Sequence, residues 1–188
     1  MTGRIAFQGE LGAYSHQACA QSRPGMEVVP CQTFEDVVEM TRSGEVDLGM
    51  LAVENSTYGR VADVHSLLPK AGLHIVDEAF VRVHVNLLGV PGARLADVRE
   101  AHGHVVILPQ CAGFLKSHGI KGRVSSDNAR AAREVAEAGD PSRAALASEL
   151  AASIYGLDVL ARHIEDHKNN TTRFLVMSRT ADHSRRAV

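Results

Sequence analysis

Hydrophobic and polar positions along this chain switch between two periods. Short apolar runs of about four to eight residues, the length of buried strands, alternate with stretches whose apolar residues recur three and four apart, as on one helix face. Arg4-Ile5-Ala6-Phe7 predicts a strand, and beyond the loop from Gln8 to His16 a helical pattern runs through Ala20. Glu27-Val28-Val29 predicts a second strand. Thr33 then stands at an N-cap with Asp36 at N3. Phe34, Val37, Val38 and Thr41 make an inner helix face, and Gly44 ends it. Val46 to Val53 is largely apolar, as expected of a strand buried on both faces of a parallel sheet. Val61 to Leu68 is the next helix, stopped by Pro69 and Gly72.

The second half repeats the alternation. Leu73 to Val90 predicts extended chain with a break near Asp77-Glu78, long enough to leave one lobe and enter another. Leu95 to Ala101 predicts a short helix, His102 to Leu108 a strand, and Gln110 to His118 a helix with Pro109 in its first turn. Arg123-Val124 is a brief strand, and Ser126 or Asp127 caps an Ala-rich helix ending near Gly139. Arg143 to Ala147 predicts a strand, Glu149 to Tyr155 a helix with Gly156 as its C-cap, and Leu175 to Met177 a last buried strand. The expected class is α/β with mainly parallel sheets. The polar residues at the end, 181–188, are expected to be a disordered tail.

Composition narrows the functions. A chain of 188 residues, 45% of them apolar, makes one domain or two small lobes with a real core. A net charge of −2 without a basic run, and aromatics of only 4% with no Trp, argue against nucleic acid. No apolar run approaches membrane-spanning length and the N-terminus lacks a signal-peptide apolar region, so no membrane partner is expected. Cys19, Cys31 and Cys111 share no close spacing, which argues for free thiols in a reducing cytoplasm. The histidines show no H-E-x-x-H and no set at metal-ligand spacing, so no metal is expected. No G-x-S-x-G elbow is present.

Three polar clusters remain. The loop Gln8-Gly9-Glu10-Leu11-Gly12-Ala13-Tyr14-Ser15-His16 opens a helix and fits either an anion loop or a tight turn; its glycines miss the dinucleotide spacing. Glu54-Asn55-Ser56-Thr57-Tyr58-Gly59 follows a strand, where α/β sheets bind ligands. In Asn170-Thr171-Thr172-Arg173-Phe174, a guanidinium fork suited to a carboxylate and a small hydroxyl donor are read as converging at a strand mouth, where they suit a small anion. A strand start with an Asx-type turn and a surface ion pair is the alternative reading of those five residues.

Together these clusters carry a resemblance. Phe7 to His16, Val53-Glu54-Asn55-Ser56 with Gly59-Arg60-Val61, His104 with Gln110-Cys111, and Asn170 to Phe174 occur in the order and spacing of the catalytic domain of prephenate dehydratases. The resemblance implies a two-lobed fold like a type-2 periplasmic binding protein, with lobes at 1–78 plus 164–180 and at 79–163, and an active site in the cleft between them. It implies Thr172, Asn55, Gln110 and Glu54 as catalytic residues, and Arg173, Ser15, Ser56, His104 and Thr171 as substrate-binding ones. The implied reaction converts prephenate to phenylpyruvate, water and carbon dioxide, without cofactor or metal. Arg173 suits a carboxylate anchor, and Thr172 and Asn55 suit donors to the leaving oxygen. Glu54 serves as a proton donor only if burial raises its pKa.

Two departures stand out. The family usually has Ser where this chain has Gly103. The family also commonly continues into a phenylalanine-binding ACT domain, whereas this sequence has only a polar tail after Arg179, so no ACT domain is expected. Relatives without that domain include prephenate decarboxylases, which keep the hydroxyl. That activity, arogenate as substrate, and a non-catalytic small-anion binding module are the alternatives, and a homodimer is left open.

Overall fold

The alternation of strand and helix builds two units, each with its own sheet. The structure, a computed structural model, describes residues 3–182. One unit comprises Met1–Gly9, Ser15–Arg82 and Thr171–Val188, the other Glu10–Tyr14 and Val83–Asn170. The divisions thus fall after Arg82 and Asn170, not after residues 78 and 163, and the second unit also takes residues 10–14.

The first unit holds β1 (Arg4–Gln8), β2 (Glu27–Cys31), β3 (Leu48–Asn55), the short β4 (Gly59–Arg60), β5 (His74–Arg82) and β11 (Thr171–Ser178). Its sheet runs β2-β1-β3-β11-β5, with β4 paired to β3 alone. β1 is parallel to β2 and β3, while β11 is antiparallel to both β3 and β5. Helices α1 (Tyr14–Ser22), α2 (Phe34–Ser43) and α3 (Ala62–Leu67) complete it. The N-terminus of α2 is the expected capping box: Thr33 Oγ1 accepts from the Asp36 N–H at 3.1 Å, and the Asp36 carboxylate accepts from the Thr33 N–H at 3.0 Å. Val37 and Val38 of this helix, with Val64 of α3, pack into one core with Leu51, Val53, Leu175 and Met177 of the sheet. Each such side chain, fully buried, contributes about 1.5–3 kcal/mol. That outweighs the marginal intrinsic stability of a helix this short.

The second unit holds β6 (Asn86–Gly89), β7 (Glu100–His104), β8 (Lys121–Ser125), β9 (Arg143–Ala147) and β10 (Asp158–Ala161), in the order β10-β6-β9-β7-β8. Helices α4 (Ala112–Ser117), α5 (Asn128–Ala138) and α6 (Glu149–Tyr155) pack with it. Asp127, not Ser126, caps α5, its carboxylate accepting from the N–H groups of Ala129 and Arg130 at 2.8 and 3.0 Å. Leu87, Ala101 and Leu146 belong to one core and Leu88, Ala145 and Val135 to another. Neighbouring strand residues point to opposite faces, so one sheet serves both cores.

Four expectations are corrected. Both sheets are mixed, not mainly parallel, because β11 and β6 enter antiparallel to their neighbours; an apolar run carries no information on strand direction. The predicted break near Asp77-Glu78 is no more than a bulge at Val76, between the Asp77–Val176 and Ile75–Met177 pairs, and the strand continues to Arg82. The predicted helix from Leu95 to Ala101 is a single 3-10 turn, Leu95–Asp97, and a strand begins at Glu100. The apolar run Val105 to Leu108, expected to be strand, is a turn leading into a further 3-10 turn, Leu108–Cys111, and Val105 is 57% exposed. Of the expected strand only His102–His104 holds, as the end of the polar strand Glu100–His104, with β8 and β9 paired on either side of it. Of the expected tail, Ala181 and Asp182 are exposed, and the remainder lies outside the described residues.

Candidate active site

In the first unit β1, β3 and β5 run in one direction and β11 in the other. The end of β3 and the start of β11 therefore meet at the carboxyl end of the parallel strands, where open α/β sheets bind ligands. Asn55, the last residue of β3, pairs directly with Thr172. The Asn55 side chain is tied in two directions. Its Oδ1 accepts from the N–H groups of Thr57 and Tyr58 at 2.9 and 3.1 Å, an Asx turn. Its Nδ2 donates to Thr172 Oγ1 at 3.0 Å. Thr172 Oγ1 accepts this bond and so retains its own hydrogen to give, and a hydroxyl that accepts a bond is polarised into a better donor. The start of β11 is pinned beside it: Ser56 N–H donates to Thr171 O, and Thr171 N–H donates to Ser56 Oγ, both at 2.9 Å.

Thr172 and Arg173 do not converge. Successive strand residues face opposite ways, and Arg173 pairs in register with Glu54 on the face away from Asn55 and Thr172. Its Nε and Nη2 lie 2.9 and 2.8 Å from Glu78 Oε2, and its Nη1 lies 4.0 Å from Glu54 Oε2. The Arg173 and Glu54 side chains are 44% and 53% exposed. The surface ion pair, the alternative reading of this motif, is the one Arg173 adopts. The burial that a proton-donor role for Glu54 requires is absent. Ser15 sits half-buried in the first turn of α1.

His104 and Gln110 belong to the second unit. His104 ends β7, where its N–H donates to Asn128 Oδ1 at 2.8 Å and its Nδ1 accepts from the Val106 N–H at 3.3 Å. Gln110 is 5% exposed; its Nε2 donates to Val106 O at 2.9 Å, and its Oε1 accepts from Asn170 Nδ2 at 2.6 Å. Glu78 and Asn170 are the partners that sequence reasoning did not assign to the site. Asn170 had a signal, since it opens the motif ending in Phe174. The pairing of Glu78 depends on the β5–β11 register and had none.

Gly103 is buried in β7, where an added Cβ would meet Leu146 Cβ at 3.1 Å and Asn128 Oδ1 at 3.4 Å. A serine there would have to displace Leu146. The loop from Gln8 to His16 is a docked turn over residues 10–14. Glu10 bonds Arg130 at 2.7 Å, Leu11 O accepts from Tyr155 Oη at 2.7 Å, and Gly12 O accepts from Ser148 Oγ at 2.6 Å. Gly12 has φ +95, and a Cβ on it would lie 2.9 Å from Ala151. Only glycine supplies both the turn and the approach.

Burial pushes the Cys19 and Cys111 thiols up to about 12, which makes them poor nucleophiles at neutral pH. Among the described residues no group of three or more His, Cys, Asp or Glu is arranged to hold a metal ion, and no helix is long and apolar enough to cross a membrane.

Comparison with known proteins adds to this geometry. A family model described as prephenate dehydratase matches residues 5–182. A bifunctional N-acyl-homoserine lactone acylase/prephenate dehydratase of Komagataeibacter europaeus is 50% identical over 93% of this chain and 62% of its own length. An arogenate dehydratase/prephenate dehydratase 1, chloroplastic, of Arabidopsis thaliana is 42% identical over 94% of this chain and 45% of its own. This chain therefore spans roughly half of the curated relatives it matches. The crystal structure of a prephenate dehydratase from Arthrobacter aurescens in complex with L-Phe superposes with a TM-score of 0.89 at 28% identity, over 98% of this chain and 63% of that one. The expected α/β class in two units is what the structure shows, each unit built on its own sheet.

Proposed function

The chain belongs to the prephenate dehydratase family, and from that premise we propose that it converts prephenate to phenylpyruvate, water and carbon dioxide in phenylalanine biosynthesis. The carboxylate on the quaternary ring carbon leaves as carbon dioxide. The electron pair of the broken carbon–carbon bond moves through the ring, and the hydroxyl on the opposite ring carbon departs with a proton as water. Aromatisation drives the step. The site must donate a hydrogen bond, and in the end a proton, to that hydroxyl.

One observation carries this reading: the Asn55 amide donates to Thr172 Oγ1 and leaves the Thr172 hydrogen to be given elsewhere. Thr172 is assigned the bond to the leaving oxygen, with Asn55 holding and polarising it. Gln110, His104, Ser15, Ser56 and Thr171 are assigned to substrate recognition and its support. Glu54 and Arg173, paired on the other sheet face, are assigned to structure instead of the reacting face. The test is turnover of prephenate, followed by phenylpyruvate absorbance in base, with arogenate as a parallel substrate. Phenylpyruvate from prephenate supports the reading; a non-aromatic keto acid as the product replaces it with simple decarboxylation.

A second reading follows from the Komagataeibacter europaeus relative, whose name includes an N-acyl-homoserine lactone acylase. Release of free fatty acid from an N-acyl-homoserine lactone tests it. The buried thiols of Cys19 and Cys111 are unsuited to be its nucleophile.

A further inference from the structure

We propose that Asn170 is a positioning residue that sets the amide orientation of Gln110, and through it aims an N–H donor of the second unit. The role given to that donor in turnover rests on the dehydratase reading; the orientation itself does not. Asn170 and Gln110 are 2% and 5% exposed. An amide in such a place costs stability unless its groups are bonded, and a leucine or methionine would fill the space without that cost. A glutamine amide can be turned by half a revolution with almost no change of shape, so only its hydrogen bonds decide which end points where. Here both neighbours make the same demand. Asn170 Nδ2 donates at 2.6 Å and requires an oxygen; Val106 O accepts at 2.9 Å and requires the NH2 group.

The backbones are held as firmly. Gln110 N–H donates to Ile107 O at 3.0 Å, Gln110 O accepts from the Asp166 N–H at 2.6 Å, and Asn170 O accepts from the Val83 N–H at 2.9 Å. Nε2 carries two hydrogens, of which Val106 O takes one; the second has no acceptor among the described residues. The first unit uses the same device, where the Asn55 carbonyl is tied back by an Asx turn and its N–H points at Thr172.

Three variants of the full chain test this: Asn170→Leu, Gln110→Met and the pair combined. The first readout is the side-chain 15N–1H resonances of Gln110, assigned by their loss in Gln110→Met. In the parent they should be sharp, well dispersed and slow to exchange; in Asn170→Leu they should broaden or move toward solvent values. The second readout is kcat and KM for prephenate beside the unfolding temperature. Asn170→Leu should lower kcat by about 10- to 100-fold, the usual loss when a group that orients a site residue is removed. The combined variant should be no slower than Gln110→Met alone, because coupled residues are not additive. It should also regain thermal stability, because no amide is left half-bonded. Unchanged Gln110 resonances in Asn170→Leu overturn the proposal. So do kcat losses that multiply in the combined variant, or a kcat restored along with its stability, which is the mark of a purely structural pair. A parent without prephenate turnover removes the dehydratase reading alone, and the resonances then decide the orientation by themselves.

Discussion

The two faces of the sheet at the start of β11 carry opposite kinds of chemistry. On one, Thr172 receives a hydrogen bond from an amide that is itself held by two backbone N–H groups. On the other, Arg173 lies between two exposed carboxylates. The first arrangement is neutral, half-buried and built from short side chains with few rotamers. The second is charged, solvated and built from long ones. Fixed donors in a partly excluded site stabilise developing charge, whereas exposed ion pairs are worth about 0–1 kcal/mol. Two residues adjacent in sequence are therefore assigned different work, and substitutions can test the division.

Thr172→Val should have the largest effect. It keeps the shape and removes the donor, so phenylpyruvate formation should fall by about 10²–10⁴-fold. Near-parental turnover would transfer the leaving-group contact to another side chain. Asn55→Asp should follow, at about 10- to 100-fold in kcat. The new carboxylate still accepts from Thr57 and Tyr58, but its second oxygen faces Thr172 Oγ1 and takes the hydroxyl hydrogen for itself. A kcat within about twofold of the parent would mean that the direction of the Asn55–Thr172 bond is immaterial.

Arg173→Lys tests the other face. The charge stays and the fork goes, so kcat/KM should change by less than about threefold, as for an exposed pair. A loss of about 1.5–3 kcal/mol in transition-state stabilisation, the scale of a charge-assisted hydrogen bond, would return Arg173 to the substrate as a carboxylate anchor. Glu78→Ala should have the smallest effect, costing about 0.2–1 kcal/mol in chemical denaturation and leaving kcat unchanged. A larger cost would mean that the ion pair holds β5 to β11 beyond ordinary surface value.

Local features were legible where a short segment decides its own structure. The capping box of Thr33 and Asp36 and the glycine stops at Gly44, Gly139 and Gly156 depend on residues within one helical turn. The polar clusters at strand ends were legible too, with Asn55 and Thr172 among their residues. Which side chains meet was less so. Reading Thr172 and Arg173 as convergent overlooks the two-residue alternation of a strand, and Glu78 enters only through its place diagonal to Arg173 across two strands.

The sequence by itself determined the α/β alternation, most helix ends, and the residue types that can serve a decarboxylating dehydration. Each of these follows from propensity, capping or side-chain chemistry acting over a few residues. Tertiary structure decided strand direction, the choice of polar Glu100–His104 over the apolar run after it as a strand, and the pairing of Asn55 with Thr172 117 residues away. An isolated strand is not stable in water. Its direction, its register and the face each side chain takes are set by the neighbours that complete its hydrogen bonds.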